Sequence, residues 1–153
     1  MPVETLRRTM EVNLHGAYFM VQAAANQMVK QGGGGSIVAI SSISALVGGE
    51  MQTHYTPTKA GVHSLMQSFA VALGRHGVRC NSVLPGTVAT DMQHKIKASA
   101  INPVSRIDWS DHIPPDWPAR TLLWMCSADA DEFIGQEIRL RDELIRRRAG
   151  LID

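Results

Sequence analysis

Apolar positions along the chain recur with two different spacings, which predict two kinds of secondary structure. Spacings of three to four residues are typical of one buried helix face and predict helices at residues 3–30, 53–75 and about 116–128. Short apolar runs bounded by glycine or other turn residues predict β-strands at residues 36–41, 79–84 and 136–141. Predicted loops fill two long gaps, at residues 44–52, which are rich in small residues, and at residues 87–114, which are mostly polar with proline breakers.

Helices and strands alternate along the chain, and this order indicates an α/β fold. Parallel strands joined by helices require right-handed crossovers, so the three strands are predicted to form one parallel sheet with helices packed on it. A length of 153 residues suits one modest domain, and no internal repeat or low-complexity segment divides it. We therefore expect residues 1–153 to belong to a single domain.

Charge and hydropathy argue against several classes of partner. The formal net charge of +1 gives no strong field toward nucleic acid or an anionic membrane, and no apolar run approaches the ~20 residues of a membrane span. Charged side chains within residues 1–10 indicate the start of a helix rather than a signal peptide. Cys80 and Cys126 lack the spacing of a disulfide framework, so both are predicted to be reduced core residues of a cytoplasmic protein.

The candidate chemistry centres on a tyrosine and a lysine at helical spacing. Tyr55 and Lys59 are four residues apart and therefore lie on one face of the predicted helix. A nearby ammonium stabilises a phenolate, which makes tyrosine a usable general acid and base at neutral pH. Ser42, at the end of the preceding strand, can hold a substrate oxygen against the phenol. This set can move a proton on or off an alcohol while a hydride leaves its carbon.

Three further segments surround this pair in a recognisable order. They are residues 11–16 (EVNLHG), 35–42 (GSIVAISS) and 79–90 (RCNSVLPGTVAT). Together with Tyr55 and Lys59 they resemble the short-chain dehydrogenase/reductase family over residues 3–92. A Tyr-x3-Lys pair alone is weak evidence, whereas four elements at matching spacing are strong evidence. The resemblance implies part of a Rossmann-like, doubly wound parallel sheet and hydride transfer with NAD or NADP.

The resemblance also implies roles for individual residues. Asn13 would complete the catalytic set of Ser42, Tyr55 and Lys59 by holding a water that links Lys59 to bulk solvent. The family spacing favours Ser42 over the adjacent Ser41 as the catalytic serine. Lys59 would bind hydroxyls of the nicotinamide ribose as well. The turn after the second strand would face the nicotinamide through Pro85, Gly86, the Val88 backbone and the Thr90 hydroxyl, although Thr90 also suits a helix N-cap.

The loop before Tyr55 points to a substrate class. Residues 41–49 and 51–61 resemble the L-rhamnose 1-dehydrogenase branch of the family, which implies oxidation of an aldose at C1 to the lactone. Hydroxyl and amide groups suitable for a small alcohol or sugar are expected around the pocket, from Ser42, Ser44, Gln52 and Thr87. The alternative is another substrate class, such as that of a 3-oxoacyl reductase, because the likeness fades after residue 92.

One expected part of the nucleotide-binding fold has no counterpart in the sequence. Residues 32–35 are a glycine run, but they precede a strand and are therefore a helix-to-strand connector rather than a pyrophosphate site. About three βα steps of roughly 30 residues each are lacking, and with them the residues that choose between NAD and NADP. We expect the N-terminal half of the fold to be missing and the strand at residues 36–41 to be a bare sheet edge. The chain alone would then be truncated and inactive.

An alternative function is a catalytically dead remnant that persists as an oligomerisation partner. Residues 3–30 and 53–75 resemble the helices of the family's dimer-forming bundle, so a homo-oligomer is expected through them. Three other features are predicted to have no catalytic function.

The first is His54, because its neighbours already supply the path for the proton. Asp91, His94 and His112 lack metal-ligand spacing, and the arginines of residues 139–148 are expected to form a solvated tail or subunit contact.

Overall fold

Three parallel strands form the sheet of the computed structural model, which describes residues 1–101 and 103–153. They are β1 (Gly35–Ile40), β2 (Val78–Leu84) and β3 (Glu137–Arg139), in the spatial order β1-β2-β3. Gly35 pairs with Val78 at one end of the β1–β2 ladder. The predicted α/β fold with a parallel sheet is therefore confirmed. Within the described residues β1 is an edge strand, as expected from the sequence.

Helices cover both faces of this sheet. The helices are α1 (Val3–Met10), α2 (Gly16–Gln31), α3 (Thr56–Leu73), α4 (Asp91–Ser99), α5 (Asp116–Met125) and α6 (Glu143–Arg148). Side chains alternate along β2, so Val78 and Cys80 pack against α2 and α3, while Val83 packs against α5 and α6. The two resulting apolar cores hold the carboxyl ends of the strands in a fixed arrangement.

The helix predicted at residues 3–30 contains an irregular turn. Residues Glu11–His15 form a π-helical turn between α1 and α2, and this turn carries Asn13. A single π-helical turn within an α-helix is frequently found at a functional site. The predicted helix at residues 53–75 begins later than expected, at Thr56, and leaves Tyr55 at the N-cap position. The sequence analysis missed α4, which lies in the segment predicted to be a polar loop.

The glycine run before β1 is a connector, as predicted. Gly32 ends α2 in the left-handed conformation, with φ of 74°. Gly34 also has positive φ, and a Cβ atom there would be 2.7 Å from the Gly77 carbonyl oxygen. This close approach brings the start of β1 against the start of β2. The glycines therefore lie at the amino-terminal end of the strands, where they allow two backbone segments to meet.

Two expectations about individual side chains are wrong. Cys80 is buried, and burial raises the pKa of its thiol to about 11, but Cys126 is exposed because it lies at the C-terminal cap of α5. Of the arginines expected to form a solvated tail, Arg139, Arg141 and Arg147 are exposed, but Arg146 and Arg148 are not. The Arg146 guanidinium lies 5.0 Å from the Trp117 ring centroid, and that of Arg148 lies 4.9 Å from the Phe133 centroid. These cations pack on aromatic rings and so help to fix the last helix.

Asn81 joins β2 to the segment that precedes β3. Its Nδ2 donates to the Phe133 carbonyl at 2.7 Å, and its Oδ1 accepts from the Gln136 N–H at 2.9 Å. The side chain is fully buried. Both backbone groups therefore depend on this one amide for their hydrogen bonds.

Asn81→Ala is expected to lower the free energy of unfolding by about 2–6 kcal/mol, because each of the two backbone groups left unpaired costs about 1–3 kcal/mol. Urea denaturation followed by circular dichroism measures the change. Asn26→Ala is the control, because Asn26 is exposed on α2 and alanine favours a helix. Equal stability of the two variants would contradict this role for Asn81.

No helix in the described part of the chain combines the length and the apolar composition that a membrane crossing requires.

Candidate active site

The candidate site lies at the carboxyl ends of β1 and β2. Ser42 follows β1, Tyr55 precedes α3, and the turn from Pro85 to Thr90 follows β2. Ligands of open parallel sheets bind at this edge, because the loops leaving adjacent strands diverge there and form a crevice. A cavity of about 450 Å³ opens between these loops.

The serine loop is ordered by its own side chains. Ser42 Oγ accepts a hydrogen bond from the Ser44 N–H at 3.2 Å, which starts a 3-10 turn over residues Ile43–Ala45. Ser44 Oγ donates to Gln52 Oε1 at 2.6 Å. Ser41 points elsewhere, since its buried Oγ donates to the Lys59 carbonyl at 3.2 Å. Of the two adjacent serines, therefore, only Ser42 lines the cavity.

The start of α3 presents Tyr55 and Lys59 together. Lys59 Nζ lies 5.7 Å from the centroid of the Tyr55 ring and donates to the Ile40 carbonyl at 2.9 Å. Ile40 is the last residue of the edge strand β1, so the lysine reaches from the helix to the sheet. Partial burial lowers the pKa of Lys59, because desolvation disfavours its charged form.

Asn13 contacts the start of α3 rather than Lys59 itself. Its Nδ2 donates to Thr58 Oγ1 at 3.1 Å, and Thr58 Oγ1 donates to the Tyr55 carbonyl at 2.7 Å. These two bonds attach the π-helical turn to the residue next to Lys59. Asn13 and Lys59 both line a separate groove of about 490 Å³ beside β1, whereas Ser42 and Tyr55 line the cavity between the loops.

The turn after β2 contributes Gly86 and Thr87 to the lining of the cavity, whereas Pro85, Val88 and Thr90 are not among the lining residues. Gly86 has φ of 85°, and Val88 forms an isolated parallel bridge with Ile113. In that bridge the Ala89 N–H donates to the Ile113 carbonyl, and the Ile113 N–H donates to the Thr87 carbonyl. The N–H and C=O groups of Val88 itself therefore point away from Ile113. Thr90 occupies the N-cap position of α4, but its side chain makes no capping bond.

The cavity has two walls of different composition. One carries the polar groups expected from the sequence, Ser42, Ser44, Gln52, Tyr55 and Thr87, together with Ile43 and Met51. The other is largely apolar and was not predicted; α4 and the following segment contribute Met92, Gln93, Ile96, Val104 and Ile107 to it. Met92 and Ile96 are four residues apart, so their helical spacing was a signal for this wall. His54 and Arg141 also line the cavity.

Among the described residues, no three His, Cys, Asp or Glu side chains come together in a way that suits a metal ion. His94 and His112 instead stack on Trp109, with ring centroids 4.0 and 4.5 Å away. These histidines belong to the packing of the segment after α4.

The comparisons with known proteins agree with this geometry. A family model described as enoyl-(acyl carrier protein) reductase matches residues 1–140. L-rhamnose 1-dehydrogenase (NAD(P)(+)) of Sphingomonas sp. (strain SKA58) is 79% identical over 92 residues, which cover 60% of this chain and 36% of that protein. (3R)-3-hydroxyacyl-CoA dehydrogenase of Mus musculus is 40% identical over 141 residues, covering 92% and 54%.

A solved structure is similar to this chain as well. A short-chain type dehydrogenase/reductase from Mycobacterium ulcerans matches with a TM-score of 0.81 and 34% identity, covering 91% of this chain and 51% of that one. The chain thus spans between about a third and about half of the length of these relatives. On the match of the family model, the chain belongs to the short-chain dehydrogenase/reductase family.

Proposed function

We propose that this site transfers a hydride between a nicotinamide cofactor, NAD or NADP, and a small alcohol or sugar. The observation that carries the proposal is the convergence of Ser42, Tyr55 and Thr87 on one cavity, with the Lys59 ammonium beside the Tyr55 ring. The nicotinamide, when bound, accepts the hydride from the carbinol carbon. The Val88 backbone and the Thr90 hydroxyl would hold its carboxamide.

The protein residues would handle the proton and the orientation of the substrate. Ser42 Oγ would hold the substrate oxygen against the Tyr55 hydroxyl, and Tyr55 would take the alcohol proton as the hydride leaves. Lys59 donates a hydrogen bond to the Ile40 carbonyl, which would keep its ammonium beside the Tyr55 ring. Asn13, through Thr58, would fix the start of α3 and hold the water that passes the proton to solvent.

A sugar substrate is supported by the polar wall and by the 79% identity to an L-rhamnose 1-dehydrogenase. Ser44 and Gln52 are already hydrogen-bonded to each other, which preorganises a hydroxyl and an amide for a polyol. A second candidate is a hydroxyacyl substrate, because the wall formed by Met92, Ile96 and Ile107 offers apolar surface to a carbon chain.

A chimera tests the proposed chemistry. The segment of the Sphingomonas protein that precedes the matched region would be joined to this chain, with the parent protein as control. We expect oxidation of L-rhamnose at C1 to the lactone, measured by nicotinamide absorbance with NAD and NADP in turn. Activity confined to a 3-hydroxyacyl thioester or a steroid would overturn the sugar assignment. Absence of activity on all three substrates, the sugar, the thioester and the steroid, would overturn the proposed function itself.

We also infer self-association through α1, α2 and α3, with or without catalysis. Large apolar side chains on these helices are exposed: Phe19 by 64%, Met20 by 73% and Val71 by 87%. Such surface favours contact with another copy. A catalytically dead oligomerisation partner would use the same surface. The two free cysteines support a reducing compartment, and we infer the cytoplasm.

A further inference from the structure

Arg141 differs from the other arginines near the C-terminus. Arg139 pairs with Glu137, Arg147 with Glu143, and Arg148 with Glu132. Arg146 donates to the Leu140 carbonyl. Arg141, in contrast, makes no hydrogen bond or ion pair with any described residue, and it lines the substrate cavity. Its Nε lies 3.9 Å from where a Cβ on Gly86 would be, so the guanidinium lies next to the turn after β2.

A second nitrogen group without a partner lines the same cavity. The Nδ1 atom of His54 is buried and has no hydrogen-bond partner in the described structure. That nitrogen is closed off from the cavity, so a ligand there would not reach it. The exposed side chain of Arg141 is therefore the polar group at this site that is open to a ligand.

The described lining of the cavity carries positive but no negative charge. Its lining within the described chain includes no aspartate or glutamate, and Arg141 contributes a permanent positive charge. A planar guanidinium binds carboxylate and phosphate groups through paired hydrogen bonds. The apolar side chains of Met92 and Ile96 would contact the carbon skeleton of the same ligand.

We propose that this site prefers hydroxy compounds that carry an anionic group, a carboxylate or a phosphate, which Arg141 binds at the mouth of the cavity. The inference rests on the proposed function and refines its substrate class: a neutral sugar is accepted, and an anionic group adds affinity. A neutral sugar would occupy the polar wall but leave the guanidinium without a partner.

Binding to the 153-residue chain tests this proposal, because every residue that lines the cavity belongs to it. Amide chemical shifts in NMR spectra would be followed on titration with D-glucuronate, D-glucose 6-phosphate and neutral D-glucose. We expect at least one anion to bind about tenfold or more tightly than glucose, with shifts at Ser42 to Gln52 and at Arg141. The two anions distinguish a carboxylate site from a phosphate site.

Arg141→Gln is expected to weaken the binding of the anion and so to remove the difference in affinity between anion and neutral sugar. Arg75→Gln is the charge-matched control, because Arg75 lies at the far end of α3 and contacts His76. Equal binding of glucose and both anions, or no binding of either anion, would overturn the inference. So would a preference for the anion that survives in Arg141→Gln. None of these outcomes would contradict the proposed function, because that function is tested by the activity of the chimera and not by ligand binding.

Discussion

Tyr55→Phe in the chimera is expected to lower turnover by about 10²–10⁴-fold, which is the usual contribution of a general acid or base. Phenylalanine preserves the ring that lines the cavity and lies 5.7 Å from the Lys59 ammonium. Only the hydroxyl that receives the alcohol proton is lost. The fold and the affinity for the cofactor are therefore expected to change little.

Steady-state kinetics and a nucleotide titration measure the two effects separately. Tyr18→Phe is the matched control, because this second tyrosine is exposed on α2, where its hydroxyl accepts a hydrogen bond from Gln22 and its ring lies against Phe19 and Phe69. It is expected to retain full turnover. If Tyr55→Phe kept most of the activity, the role of Tyr55 as acid and base would be wrong, whatever the substrate proves to be.

The 153-residue chain by itself is expected to bind neither NAD nor NADP with micromolar affinity and to show no dehydrogenase activity. Under the proposed function, Lys59, Val88 and Thr90 would contact the nicotinamide end of the cofactor. The glycine run at residues 32–35 lies at the amino-terminal end of β1, which is the wrong end of the sheet for a pyrophosphate. Contacts remote from the reacting atoms supply much of the energy that positions a cofactor.

Isothermal titration calorimetry of the purified chain with each dinucleotide measures the affinity. The chimera is the positive control, because it contains the same nicotinamide contacts together with a pyrophosphate site. Micromolar binding to the chain alone, or a rate above background, would contradict the expectation. Such a result would show that residues 1–153 hold a dinucleotide in a way that the family's usual pyrophosphate site does not explain.

The sheet and the polar wall of the cavity were predictable from local sequence. A strand bounded by glycines and a strand followed by Pro85-Gly86 have strong periodicity and strong breakers, so their positions follow from the chain alone. Because parallel strands end at one edge, Ser42, Tyr55 and Thr87 were expected to come together, and the structure places all three on one cavity. The grouping of these three residues follows from the order of strands, loops and helices along the chain.

The features that were missed depend on contacts between distant segments. The apolar wall needs α4, which is short and mostly polar, and which docks against the segment ending at Ile107. Arg146 and Arg148 were expected in solvent, but the rings of Trp117 and Phe133 reach them only after folding. The π-helical turn around Asn13 likewise has no distinct periodic signal. The pattern of apolar and polar residues in one segment does not predict which distant side chains a charged residue will pack against.

The edge position of β1 divides its backbone amides into two classes. Gly35 N–H donates to Gly77 and Ser41 N–H to Val83, and in a parallel ladder the donors alternate. The amides of Ile37 and Ala39 therefore face β2, while those of Ser36, Val38 and Ile40 face outward. Hydrogen exchange along this strand should accordingly alternate between slow and fast from one residue to the next. A strand added from another molecule would abolish that alternation, so the exchange pattern itself reports whether the edge is covered.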